Sequence, residues 1–454
     1  MEVTRTLAKF IVEHRYADIP EKVRHEAARS LLNWVGCAVG GSRHETVENA
    51  LAALSEFSGP REATVLGRHD RLDIMLAALM NGITSHTFDF DDTHLKTVIH
   101  PSGPVASAIL ALAERRPVRG DEFLHAFILG VEAECRIGNS VYPPHYDAGW
   151  HITGTAGVFG AAAAAGRLLG LSEQQMVWAL GTAATQSSGL REMFGTMCKP
   201  FHPGNAARNG LLAALLAQRD FTSSGQGIEA KRGFANVLST RFEPGEITER
   251  LGETWEIALN TYKPFACGIV EHPAIDGCIQ LRKNFNLKPE DIERIELKVH
   301  PLVLELTGKK TPQVGLEGKF SVYHSCAVAV IHGAAGEAQY SDEAVRDPRA
   351  VALRERVSAT SEPGLHEDQV RVTIRLTNGQ TIEKFIEHAV GSLDRPMSDS
   401  DLEAKFHGLA EGILSRLEAE NLVRLCWDIA KLKDAGEVAR ASVPKVAAHT
   451  RKAS

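Results

Sequence analysis

From the N-terminus to about residue 260 the apolar positions recur at helical spacing almost without a break. Start signals accompany the pattern: Asp121 precedes EFLHAFILGVEAECRIG, and Ser172 precedes EQQMVWALGTAAT with Gln175 three residues on, a capping box. Small residues crowd these helices, GAAAAAG at 160–166 and LLAALLA at 211–217, which lets helix axes approach closely. After Pro264 the period changes. Ile295, Leu297 and Val299 alternate with Glu296, Lys298 and His300, and Val370, Val372, Ile374 and Leu376 alternate with Arg371, Thr373 and Arg375, the spacing of half-buried strands. The second run reaches Thr377-Asn378-Gly379-Gln380 and then TIEKFI, and Asn-Gly between alternating runs predicts a hairpin. Helices predicted from about Phe320 to Gly336 and from Asp342 to Val357 fall between the strands and complete a small α+β unit. Helical spacing returns after Ser398, with Asp401 ahead of LEAKFHGLAEGILSRL and Asn421 ahead of LVRLCWDIAKL, while the polar tail ASVPKVAAHTRKAS is expected to fray.

This order predicts a mainly α protein. A large all-helical domain is built from both termini, residues 1–264 and 399–454, and a smaller α+β lid domain, 265–398, is inserted in it. The length of 454 residues and the 44% hydrophobic content supply enough apolar material for two cores. A net charge of −7 offers no positive field for a polyanion, so nucleic acid is not an expected partner, whereas a small anion needs only a few basic side chains in one pocket. Seven scattered cysteines without a CxxC pair argue against a disulfide framework or a zinc ribbon. The charged N-terminus does not read as a secretory signal, and the Ala- and Gly-rich stretch TAGVFGAAAAAGRLLGL, carrying Arg167, reads as a buried helix and not a membrane span. A cytoplasmic protein is the expectation.

Three clusters carry candidate chemistry. The first is His86-Thr87-Phe88-Asp89-Phe90-Asp91-Asp92-Thr93-His94 with His100-Pro101-Ser102-Gly103-Pro104; its bland reading is a solvated loop with an N-cap at Ser102. A divalent metal would favour the carboxylates, yet no second acidic motif accompanies them, so no metal is expected. The second, His145-Tyr146-Asp147-Ala148-Gly149-Trp150-His151, lacks the i, i+4 pair of a helical zinc site but offers Tyr146 and His151 as proton carriers. The third runs from Arg191 to Asn205 through Cys198-Lys199-Pro200-Phe201-His202, and a helix opening at Asn205 would add its positive end to Lys199, His202 and Arg191 as a carboxylate receptor. Lys263 lies at the inferred domain junction, where ligand sites concentrate, and Tyr323 would come from the small domain. No GxGxxG follows a strand, and neither GxxxxGK[ST] nor GxSxG occurs, so cofactor-free acid/base chemistry is the expectation.

The motifs DFDDTH with HPSGPV, GWHITGTAGVFGAAAAAGRLLGL, MCKPFHPGNAARNG, YKPFACG and KFSVYHSCA occur in an order that resembles the MmgE/PrpD family. That family includes 2-methylcitrate dehydratase, cis-aconitate decarboxylase and iminodisuccinate epimerase. The resemblance implies a helical domain from both termini with an inserted α+β lid, a homodimer, and active-site residues at Asp89, Thr93, His100, His151, Lys199, Lys263 and Tyr323. Over its full length the chain resembles the epimerase members, which interconvert stereoisomers of a dicarboxylated secondary amine. The expected catalytic residues are therefore Lys199, Tyr146, His151, His100 and Asp89, with Lys263, Arg191, Thr93, His202 and Tyr323 binding a small polycarboxylate. A lyase of the same family is the alternative, and a non-catalytic polyacid-binding protein a more distant one.

Overall fold

Helix boundaries follow local chemistry more closely than spacing alone. In the computed structural model, which describes residues 2–445, Ser172 and Gln175 form the expected capping box at the start of Glu173–Ala184. Asp121 does not cap its helix: the helix begins at Gly120, and Asp121 sits in the first turn, where its charge meets the positive helix end. The segment after Asp401 is two helices, Asp399–Ala410 and Arg416–Trp427, separated at Gly412 in the left-handed region (φ 77°) and capped by Ser398 and Ser415. Asn421 is thus inside a helix and not at its start. Most of the tail, residues 446–454, lies outside the described residues.

The helical part is organised by long helices in close contact: α1 (Glu21–Gly41), α2 (Ile74–His86), α3 (Ser102–Arg115), α4 (Gly120–Val141), α5 (Ile152–Leu169) and α6 (Cys198–Ala217). Helix α6 packs on α5 and α2, and α5 also packs on α4 and α3. Their small residues have a measurable consequence. A Cβ added to Gly82 of α2 would lie 2.4 Å from the Cα of Gly204 in α6, so the two backbones touch there. Helix α5 is long and apolar enough to cross a membrane by length and composition, and 83% of it is buried inside the protein. Between α6 and residue 260 the expected helical character is mostly lost; loops, short turns and the helices Phe234–Leu238 and Gly245–Thr248 occupy the segment, which is punctuated by Gly225, Gly227, Gly233 and Gly252. Two helices beyond the sheet, α9 (Asp399–Ala410) and α10 (Arg416–Trp427), return to pack on α1.

A separate apolar cluster forms around a four-stranded sheet, with contributions from Cys37, Phe90 and Leu409 of the helical part. Ile292–Val299 is central, pairing in parallel with Val357–Ser361 (Ile295 opposite Val357) and antiparallel with Val370–Leu376, which pairs in turn with Thr381–Ile386 through the Asn-Gly turn. Ile295, Leu297 and Val299 are buried and Glu296 and Lys298 exposed, as the alternation predicts. Helices α7 (His272–Phe285) and α8 (Val322–His332) cover one face. The helix expected over 342–357 is broken at Asp347-Pro348, because Pro favours an extended residue before it, and Val357 begins a strand.

Candidate active site

The site is assembled where α2 ends, α6 begins and a short strand pair joins distant segments. Asp73 caps α2 by accepting from the Met75 and Leu76 amides. The helix closes at His86, and the chain turns sharply through Asp89, a non-glycine residue in the left-handed region (φ 51°). Such a conformation costs on the order of 1–3 kcal/mol and persists only where surrounding contacts impose it. Those contacts are in place: Lys319 Nζ donates to the Phe88 carbonyl (2.8 Å), and Lys405 Nζ, from α9, donates to the Phe90 carbonyl (2.6 Å) and the Lys263 carbonyl (2.9 Å). Strand Thr93–His94 pairs antiparallel with Asn260–Thr261, which carries Lys263 up against the turn.

The result is an ion triad. Asp89 Oδ1 accepts from Lys199 Nζ and from Lys263 Nζ, each at 2.8 Å, with all three side chains buried. Burial alone would raise the Asp89 carboxyl; the two ammonium groups override it and hold the carboxyl well below its usual range. Burial pulls Lys199 down against the attraction of Asp89, whereas for Lys263 Asp89 and Asp91 overcome burial and raise it. One carboxylate between two ammonium groups leaves the triad itself with an excess positive charge, which the nearby buried Asp91, also held ionised, partly offsets. Lys199 also lies against the stacked rings of Phe194 and Phe320, at 5.2 and 5.3 Å from their centroids.

Neutral imidazoles stand beside the triad. His100 Nδ1 lies 2.8 Å from the Asp92 carbonyl, which can only accept, so Nδ1 carries the proton and Nε2 keeps its lone pair. Burial lowers His100 to about 3, so it is neutral at ordinary pH. Thr93 Oγ1 is 3.3 Å from the same Nδ1. His151 Nδ1 meets His202 Nδ1 at 2.8 Å; burial, then the neighbouring His202, keeps His151 well below 6.5, and burial brings His202 to about 4. Tyr146 is buried and its phenol raised, so it holds its proton.

Asp89, Thr93, His100, Tyr146, His151, Lys199 and Lys263 all line one cavity of about 40 Å³. Three expected residues do not. His202 stands behind His151. Arg191 donates to the Tyr146 carbonyl (2.9 Å) and pairs with Glu305 (2.5 Å), its guanidinium 4.1 Å from the centre of the Tyr146 ring, so it holds Tyr146 in place. Tyr323 is packed in the sheet-side apolar cluster, because the first turn of α8 points it there. The expected helix start at Asn205 is also displaced: α6 begins at Cys198 and carries Lys199 and His202 within it. Ser102 caps nothing; it donates from Oγ to Asp92 Oδ2 at 2.5 Å. The sequence expectations lacked the apolar wall of Phe194, Phe320, Ile269, Val270 and Leu306, and the anchoring lysines Lys319 and Lys405.

Among the described residues, His86, His100 and His151 place ring nitrogens within 4.8 Å of one another, and one imidazole nitrogen each of His86 and His100 lies equally close to one carboxylate oxygen each of Asp89 and Asp91. His86 Nδ1 is paired with Asp91 Oδ2 at 2.8 Å, leaving its buried Nε2 unpartnered. Imidazoles arranged in this way suit a divalent transition metal, but a cation at the second group would share Asp89 with two ammonium groups.

Comparison with known proteins agrees with this arrangement. The chain matches the MmgE/PrpD N-terminal domain over residues 5–247 and the MmgE/PrpD C-terminal domain over residues 265–429. It is 26% identical to cis-aconitate decarboxylase of Homo sapiens over 450 residues, covering 95% of this chain and 92% of that protein. Identity to cis-aconitate decarboxylase of Aspergillus terreus is also 26%, over 449 residues, with 92% and 91% covered. With 2-methylcitrate dehydratase of Salmonella typhimurium it is 23% over 415 residues, with 83% and 84% covered.

Proposed function

Because the chain belongs to the MmgE/PrpD family, we propose that it is an enzyme that removes a proton from the carbon next to a carboxylate of a small polycarboxylate, without a cofactor. One observation carries the reading: a cavity lined by two ammonium groups on one aspartate also holds the neutral base His100 and the neutral acid Tyr146. The ammonium groups of Lys199 and Lys263 receive a substrate carboxylate and the charge that builds on it as the C–H bond breaks. The proton passes to Nε2 of His100, and the electron pair moves into the carboxylate as an enediolate. Lys199, paired with Asp89, starts as an ammonium group and so gives a proton more readily than it takes one. The α+β unit of 265–398 serves as the lid, supplying Ile269, Val270, Leu306 and Phe320 to the cavity wall.

Two outcomes can follow the common step. A lyase outcome, loss of carbon dioxide or of water, is supported by the relatives, named as a cis-aconitate decarboxylase and a 2-methylcitrate dehydratase. An epimerase outcome, on a substrate such as iminodisuccinate, is supported by the presence of separate proton carriers from separate segments: His100, His151 and Tyr146. The deciding experiment incubates the protein in deuterated water with cis-aconitate, 2-methylcitrate and a single stereoisomer of iminodisuccinate, following carbon-bound deuterium, alkene absorbance, gas release and optical rotation. Gas or a change in alkene supports the lyase; exchange with loss of rotation and neither of those supports the epimerase. Absence of exchange and of product with every compound overturns the proposed activity.

A further inference from the structure

A cavity of about 40 Å³ holds roughly three waters, whereas pockets for small organic ligands run to about 300–1,000 Å³. The catalytic cavity as it stands is therefore too small for a polycarboxylate. Beside it lies a second cavity of about 640 Å³, and the two share three wall residues, Val98, Ile269 and Val270. Val98 is a β-branched residue in the left-handed region (φ 53°), a conformation that its Cβ substituents disfavour strongly. The strain is imposed from both sides. The His94 amide donates to the Ile99 carbonyl (2.8 Å), the Thr97 amide donates to the His94 carbonyl (3.2 Å), and His94 Nε2 is held by Glu256 at 2.9 Å. The loop 94–99 is thus clamped at its base, next to Thr93 and His100 on either flank, and Val98 is pushed into the partition.

We propose that the larger cavity is the entry vestibule of the active site and that Val98, facing Ile269 and Val270, is the gate that sets which substrates pass. The vestibule presents Lys96, His300 and His366 along an apolar wall that includes Leu365, Val390 and Leu393. Of its carboxylates, Asp368 and Asp394 are both paired with His388, at 2.8 and 3.5 Å, and Glu367 is a third, while Lys96 is paired with Glu246 at 2.9 Å. A ligand on its way in therefore passes an apolar wall edged by polar groups of both signs, Lys96 and Glu367 among them. The gate occupies the one strained position of the partition, where a small backbone rearrangement relieves strain as it opens the passage.

The inference rests on the proposed function only for the nature of the cargo, so the test uses a probe that needs no substrate. Diethyl pyrocarbonate acylates neutral imidazole nitrogen, and His100 is neutral at pH 6.5. Its modification, read by peptide mass spectrometry, reports passage through the partition, while His300 and His366 report access to the vestibule. Val98→Trp is expected to slow acylation of His100 at least tenfold and leave His300 and His366 unchanged. Val98→Gly, at home at positive φ, is expected to speed it severalfold, with the relief of strain offsetting part of the stability lost with the buried side chain. Ile269→Phe narrows the same partition from ordinary backbone and replaces Val98→Trp should that variant not fold. Equal His100 rates in wild type and all folded gate variants overturn the gate, as does parallel slowing of His300. On a turned-over polycarboxylate, the narrowing variants should lower kcat/KM at least tenfold. Failure of wild type to act on any polycarboxylate sinks the function proposal and leaves the acylation result standing.

Discussion

Asp89 Oδ1 accepts from two lysines at 2.8 Å, and this sharing decides what each partner can do. Replacing Lys199 by Ala removes half the charge that stabilises a developing enediolate, and incorporation of solvent deuterium into the substrate is expected to fall by about 10²–10³-fold; an exchange rate within threefold of wild type excludes the role. The protonation of His100 makes a separate prediction. Burial has lowered it to about 3, so the basic form dominates from pH 5 to 8, and kcat/KM should show no inflection near 6.5 across that range. An acid limb centred near 6.5 would assign the base to an unburied histidine. Most of the residues involved were legible from chemistry in the chain: Asp89, His100, His151, Lys199 and Lys263 stood out as titratable groups in otherwise apolar or Pro- and Gly-punctuated segments. The apolar wall was not, because Ile269, Val270, Leu306 and Phe320 have no local pattern that separates a cavity lining from a core. Arg191 and Tyr323 were misplaced for a related reason. Their residue types suit anion binding, yet one is claimed by Glu305 and the Tyr146 ring, and the other by a helix face turned to the sheet.

At the scale of elements, the distance between Asp89 and Lys199 is set by how closely α2 and α6 pack. Gly82 and Gly204 meet with no room for a side chain. Gly82→Ala inserts a methyl against backbone, which cannot rotate away, and overpacking of this kind costs about 1–3 kcal/mol. The expected result is a lower urea midpoint together with a loss of exchange activity greater than the loss of folded protein, because α6, which carries Lys199, and α2, which leads into the Asp89 turn, are forced apart. A variant with a lowered midpoint but full activity per folded molecule would show that the triad does not depend on this contact. Element types were largely legible, since helical and strand periods differ by nearly a factor of two. Boundaries were less so: α6 begins before Lys199, and α9 and α10 are separated by Gly412, because caps and glycines act over single residues while periodicity averages over several. The strand pair Thr93–His94 with Asn260–Thr261, which delivers Lys263, is too short to leave any periodic trace.

Across the whole molecule, the helical core holds a carboxyl that the proposed chemistry does not use. Glu134 of α4 is fully buried, both of its oxygens lack a hydrogen-bond partner among the described residues, and the space it fills is left by glycines of α5: a Cβ on Gly160 would lie 2.4 Å from Glu134 Oε2. Burial, and then the nearby Asp92, raises its pKa well above 4.5. The folded state therefore binds this proton more tightly than the unfolded chain does. Its stabilising contribution is complete below the unfolded pKa near 4.5 and is lost as pH rises through the folded value, at about 1.4 kcal/mol for each pH unit between the two. The buried histidines act in the opposite direction: His100 and His272, lowered to about 3, and His202, lowered to about 4, cost stability as pH falls below 6.5, where the unfolded chain takes up protons first. Glu134→Gln keeps the shape and removes the proton. Relative to wild type, that variant should become progressively more stable in urea titrations from pH 5 to 9, while the difference stays constant below pH 4.5 and the acid-side losses from the histidines remain. A stability difference that does not change with pH would mean that Glu134 is ionised in the folded protein and has found a partner.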